Sequence, residues 1–123
     1  MTQIFDLERP IIRVLAITAA IGCAVLIAYY SLSPTDGLPK VRWTDKISHF
    51  IAYASLSVPL AIAMGRERWL TAIALATAYG AFMELAQGTL TDNRDADLID
   101  AIANALGACA GVGFAYLLLM FRR

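Results

Sequence analysis

Charge is scarce in this chain, and what there is of it is gathered into a few short clusters. Only 16% of the 123 residues are Asp, Glu, Lys or Arg, against about a quarter in a typical soluble domain. The ten basic and ten acidic residues cancel, so there is no net field to draw nucleic acid. Histidine occurs once, at His49, and cysteine twice, at Cys23 and Cys109. The two cysteines lie in separate apolar stretches without metal-ligand spacing, which excludes a disulfide framework and a zinc motif. They read as small buried apolar residues. There is no HExxH, no paired cysteine, no phosphate-binding glycine loop, no internal repeat and no low-complexity tract.

What remains is hydrocarbon. Hydrophobic residues make up 59% of the chain and the mean hydropathy is +0.64. Four apolar stretches stand out: Ile11 to Leu32, Ile47 to Met64, Trp69 to Leu90 and Leu98 to Phe121. A helix of roughly 20 apolar residues crosses a bilayer core of about 30 Å, and even the short second stretch reaches the lower end of that range. The expected fold is all-α: a polytopic membrane protein, a bundle of four transmembrane helices, one domain over residues 1–123. A soluble bundle is excluded because the stretches lack polar outer faces. The first stretch is too long for a signal peptide and no small-x-small cleavage site follows Tyr29 and Tyr30, so it is expected to be retained.

The connections are short. Ser33 to Lys46 is rich in turn formers, with Pro34, Gly37 and Pro39; each proline biases the residue before it away from helix. Gly65 to Arg68 is a tight turn that makes the second and third stretches antiparallel neighbours, and Thr91 to Asp97 forms the last connection. Arg9, Arg13, Arg66, Arg68, Arg122 and Arg123 fall on one side of the membrane, Lys40, Arg42, Lys46 and Arg94 on the other. The positive-inside rule then puts both termini in the cytoplasm.

The polar residues that interrupt the apolar stretches carry the functional expectation. Asp45, His49 and Tyr53 are spaced four apart and share one helix face. Glu84 and Gln87 share a face near the end of the third helix, continued inward by Gly80. Asp97, Asp100, Asn104, Gly107 and Gly111 form a stripe along the start of the fourth. Threading brings these groups to one membrane face. The second helix enters there, the third leaves there and the fourth starts there. At 1.5 Å per residue Glu84 lies roughly 9 Å below Leu90, and Asn104 is similarly shallow.

An ionisable group in a span costs a few kcal/mol on insertion scales and faces the bundle or a wet cavity, which makes Glu84 the leading candidate. Glu84 and His49 are the candidate acid–base pair; the alternative is that Glu84 pairs with Arg94 or His49 and only fixes packing. Asp97 caps the fourth helix or pairs with Arg94, and Asp45 caps the second. Asn104 bridges helices. Pro59 frees a carbonyl one turn earlier, near Ser55, and Gly107 to Gly111 is a small-xxx-small segment for close helix approach. A lone histidine is poor support for zinc, and carboxylates alone suit magnesium or calcium. No metal and no cofactor is expected. Ser48, beside His49 in sequence, points to another face.

Three strings carry a resemblance: Asp45-Lys46-Ile47-Ser48-His49-Phe50-Ile51-Ala52-Tyr53, Glu84-Leu85-Ala86-Gln87, and Asp100-Ala101-Ile102-Ala103-Asn104-Ala105-Leu106-Gly107. With Arg94 and Asp97 between them, the chain from Trp43 to Gly111 resembles the VanZ-like family. That resemblance implies a small multi-helix membrane protein of the bacterial cell envelope, in a family whose namesake is associated with reduced sensitivity to the lipophilic glycopeptide teicoplanin. Read with it, Asp45, His49, Tyr53, Glu84, Gln87, Arg94, Asp97, Asp100 and Asn104 become the expected binding residues of a polar pocket at the outer face of the inner (cytoplasmic) membrane. Its expected partners are membrane lipids, lipid-linked cell-wall intermediates or lipophilic glycopeptides, not nucleic acid, with a homo-oligomer or a partner membrane protein as further possibilities. Two other functions fit the same residues: an enzyme acting on lipid head groups, and a non-catalytic structural subunit of a membrane complex.

Overall fold

A chain in hydrocarbon must satisfy its own backbone N–H and C=O groups, and helices do so within each segment. A computed structural model describes the backbone of residues 2–33, 42–90 and 98–121, and the side chains of residues 10–33, 46–90 and 98–121. Four helices follow in order: α1 (Thr2–Leu32), α2 (Arg42–Met64), α3 (Trp69–Leu90) and α4 (Leu98–Phe121). All four are long and apolar enough to cross a membrane, and there is no strand among the described residues. The chain is a four-helix membrane bundle.

Two boundaries differ from the apolar stretches. The α1 helix begins at Thr2, because Gln3, Leu7, Glu8 and Arg9 are good helix formers, and it runs through Pro10 without the hydrogen bond that the missing N–H would have made. The α2 helix begins at Arg42, so Asp45 falls inside its first turns and does not cap it. Between α2 and α3 the reversal is tight. Gly65 adopts φ 88° and ψ 166°, a region essentially open only to glycine, and a single 3-10 turn over Arg66–Arg68 follows. The Gly65 amide donates to Ala61 O at 2.9 Å and the Arg68 amide to Gly65 O at 3.1 Å.

The packing is inverted relative to a water-soluble bundle. Buried positions are filled by small residues, among them Ala72, Ala76, Ala108 and Ala115, while Leu70, Phe82, Leu85, Leu106 and Phe114 face outward. Lipid rewards outward-facing bulk as well as a protein core would, so helix association rests on close backbone approach. The α2–α4 pair is the most extensive contact. A β-carbon on Gly107 would overlap the Phe50 carbonyl oxygen, and one on Gly111 would overlap Ser57 Oγ and Ala54 O. Both glycines belong to the buried stripe of α4, with Asp100, Asn104 and Ala108. Cys109 is exposed between them, which corrects the expectation of a buried residue. Cys23 is half-buried.

Pro59 leaves α2 continuous. It removes the N–H that would have bonded the Ser55 carbonyl, and that carbonyl instead accepts from Cys23 Sγ of α1 at 3.7 Å. At the end of the bundle carrying the α2–α3 turn, Arg66 donates to Tyr116 Oη at 3.0 Å and stacks 4.8 Å over the same ring.

Candidate functional site

The opposite end of the bundle holds the polar groups. His49, near the start of α2, faces Asn104 of α4 and Glu84 of α3 with one ring nitrogen and Asp100 of α4 with the other. Its Nδ1 lies 2.9 Å from Asn104 Oδ1 and 3.8 Å from Glu84 Oε1. Its Nε2 lies 3.6 Å from Asp100 Oδ2. A carboxamide oxygen only accepts, so the hydrogen bond with Asn104 places a proton on Nδ1. Lys46, three residues before His49 and so on the same face, forms an ion pair with Asp100 Oδ1. Glu84 is 4% exposed, Asp100 7% and Asn104 1%. Three elements thus converge, as threading requires.

Tyr53 continues the His49 face one turn deeper and is 2% exposed. Its ring stands 6.3 Å from that of Tyr79, whose hydroxyl donates to Ala24 O of α1 at 2.6 Å. Gly80 makes room for this layer: a β-carbon there would stand 3.0 Å from Asn104 Cβ and 3.1 Å from both Asn104 Nδ2 and Tyr53 Cε1. Tyr53 Oη and Asn104 Nδ2 are buried and have no hydrogen-bond partner among the described residues.

Gln87 is turned elsewhere. It is buried beside Glu84, yet its Nε2 donates to the Ser31 carbonyl of α1 at 3.0 Å. With Ser31, Ser48, His49 and Tyr53 it lines a cavity of about 360 Å³, whose remaining wall includes Cys23, Leu26, Ile27 and Ala52. The cavity lies among α1, α2 and α3, and exposed Leu26 and Tyr30 stand at its side. His49 and Tyr53 therefore border both the cavity and the cluster of carboxylates. Ser48, expected on another helix face than His49, lines the same cavity.

Of the sequence-expected site residues, His49, Tyr53, Glu84, Gln87, Asp100 and Asn104 come together at one end of the bundle. Arg94 and Asp97 lie outside the described residues, as does the side chain of Asp45. Lys46, Ser31 and Ser48 are additions. Lys46 was legible in its i, i+3 relation to His49; the Ser31 carbonyl was not, because a backbone acceptor has no sequence signature.

The VanZ/LLP1 family model matches residues 6–120 of the chain. No curated protein and no solved structure matches it.

Proposed function

Because this chain belongs to the VanZ/LLP1 family of membrane proteins, we propose that it binds an amphiphile of the cell envelope, with the polar head at His49 and the apolar chain along the α1–α2–α3 cavity. The observation that supports this is the cavity itself. It is a cleft in a membrane-spanning bundle, polar at Ser31, Ser48, His49 and Gln87 and apolar at Leu26, Ile27 and Ala52. Ligand sites are typically clefts of this size with a few convergent polar groups. The ligand class is a lipid head group, a lipid-linked cell-wall intermediate or a lipophilic glycopeptide. The positive-inside count puts both termini in the cytoplasm and this site at the outer face of the inner membrane.

The test is thermal unfolding of the purified protein in detergent against a panel of lipids and a lipoglycopeptide. A ligand present at 100 times its Kd stabilises by about 2.7 kcal/mol. Such a shift in the wild type that is lost in Gln87→Ala and His49→Ala supports the reading; equal shifts in all three remove it. A second reading, a membrane enzyme acting on lipid head groups, is favoured by the placement of His49 between two carboxylates. It requires turnover of a lipid-linked substrate that Glu84→Gln abolishes.

A further inference from the structure

We infer that the α1–α2–α3 cavity takes an uncharged, polyhydroxyl head group, such as the sugar of a glycosyl diglyceride, in preference to a phosphate, with the Ser55 carbonyl as the acceptor that reads a hydroxyl. The inference rests on the amphiphile reading above and narrows its ligand class.

The carbonyl carries the argument. Pro59 has no N–H, so the Ser55 carbonyl lacks its helical donor. Its hydrogen bond among the described residues comes from Cys23 Sγ at 3.7 Å, and a thiol is a weak donor. Cys23 and Ser55 both line the cavity, so this under-satisfied acceptor lies in its wall. A carbonyl oxygen has two lone pairs and gains from a second, stronger donor. A ligand hydroxyl supplies one. An ionised phosphate diester brings acceptors only and leaves the carbonyl as it was.

The rest of the wall is matched to hydroxyls. Tyr30, Ser31, Ser48, Tyr53 and Gln87 line it with neutral side chains that both donate and accept. The two tyrosine rings add apolar faces beside their polar tips, which suits a ring with C–H and O–H sides. Ser55 lies six residues beyond His49, roughly 9 Å deeper along α2. A single hydroxyl cannot address both ends of that span, whereas a ring bearing several can.

Charge points the same way. No Asp, Glu, Lys or Arg is among the described residues of the lining. Lys46 is paired with Asp100 of α4, and neither belongs to the wall. Phosphates are held by Arg or Lys through charge-assisted bonds, and a charge taken out of water without a partner is costly.

The test is a thermal-unfolding titration of the full chain, in a detergent without a sugar head, against monoglucosyl diacylglycerol and phosphatidylglycerol with identical acyl chains. The expected result is saturable stabilisation by the glycolipid, with an apparent Kd about tenfold or more below that for phosphatidylglycerol. Pro59→Ala returns a helical N–H to the Ser55 carbonyl and should weaken glycolipid binding about three- to tenfold while leaving phosphatidylglycerol unchanged. Ser48→Ala should act in the same direction, and it decides if Pro59→Ala loses its helicity by circular dichroism. A defect in packing would shift both lipids alike. Phosphatidylglycerol binding as tightly as the glycolipid, or equal losses for both lipids in the folded variants, overturns the head-group assignment; the cavity reading then stands if Gln87→Ala still abolishes the shift. No saturable shift with either lipid removes both.

Discussion

His49 is the residue on which the site turns. It is the single histidine of the chain, and it meets a carboxamide and two carboxylates drawn from two other helices. Lys46 belongs to the same constellation through Asp100, although the sequence offered it first as a topology signal. Gly107 shows how little space separates α2 from α4. Its substitution by alanine puts a methyl group onto the Phe50 carbonyl, and backbone does not move aside as a flexible side chain does. Gly107→Ala is expected to destabilise the bundle by about 1–3 kcal/mol, measured as a lowered midpoint of thermal unfolding in detergent. An unchanged midpoint would mean that the two helices do not pack this closely.

At the scale of the element, the α2–α3 reversal depends on one backbone conformation. Gly65 at φ 88° and ψ 166° sits where other residues are strained by about 1–3 kcal/mol. Gly65→Ala meets no neighbouring atom, so the expected loss comes from backbone strain alone. Denaturant unfolding should show a loss in that range, with amphiphile binding retained because the site lies at the far end. Helix existence was legible in the sequence to within a residue or so for α3 and α4, since apolar length alone settles a span. The starts of α1 and α2 were less so. Their first turns are polar, and hydropathy marks where lipid begins, not where helical hydrogen bonding begins.

For the whole molecule, the bundle turns its bulk outward, and insertion is therefore sensitive to charge on the lipid face. Leu106, 57% exposed on α4, is expected to cost about 2.5–3.5 kcal/mol on replacement by aspartate near mid-membrane. A glycosylation-based insertion assay of the α4 segment reads this directly, and an unaffected inserted fraction would argue against its lipid exposure. Orientation rests on six basic residues against four. Reporter fusions at Arg66–Arg68 and at the C-terminus should both be active only as cytoplasmic fusions.

Order along the chain determined that four spans exist and that His49, Glu84, Asp100 and Asn104 emerge at one membrane face, because helices that cross a bilayer alternate in direction. Sequence also placed Glu84 and Gln87 on a shared face, and there its reach ended. Only the tertiary structure decided that Glu84 lies near His49 while Gln87 bonds the Ser31 carbonyl of α1. A helix face is broad enough to touch two neighbours, and the spacing within one helix says nothing about where those neighbours stand. That arrangement is set by the close approach at Gly107 and Gly111, which docks α4 on α2 and so fixes which side chains meet.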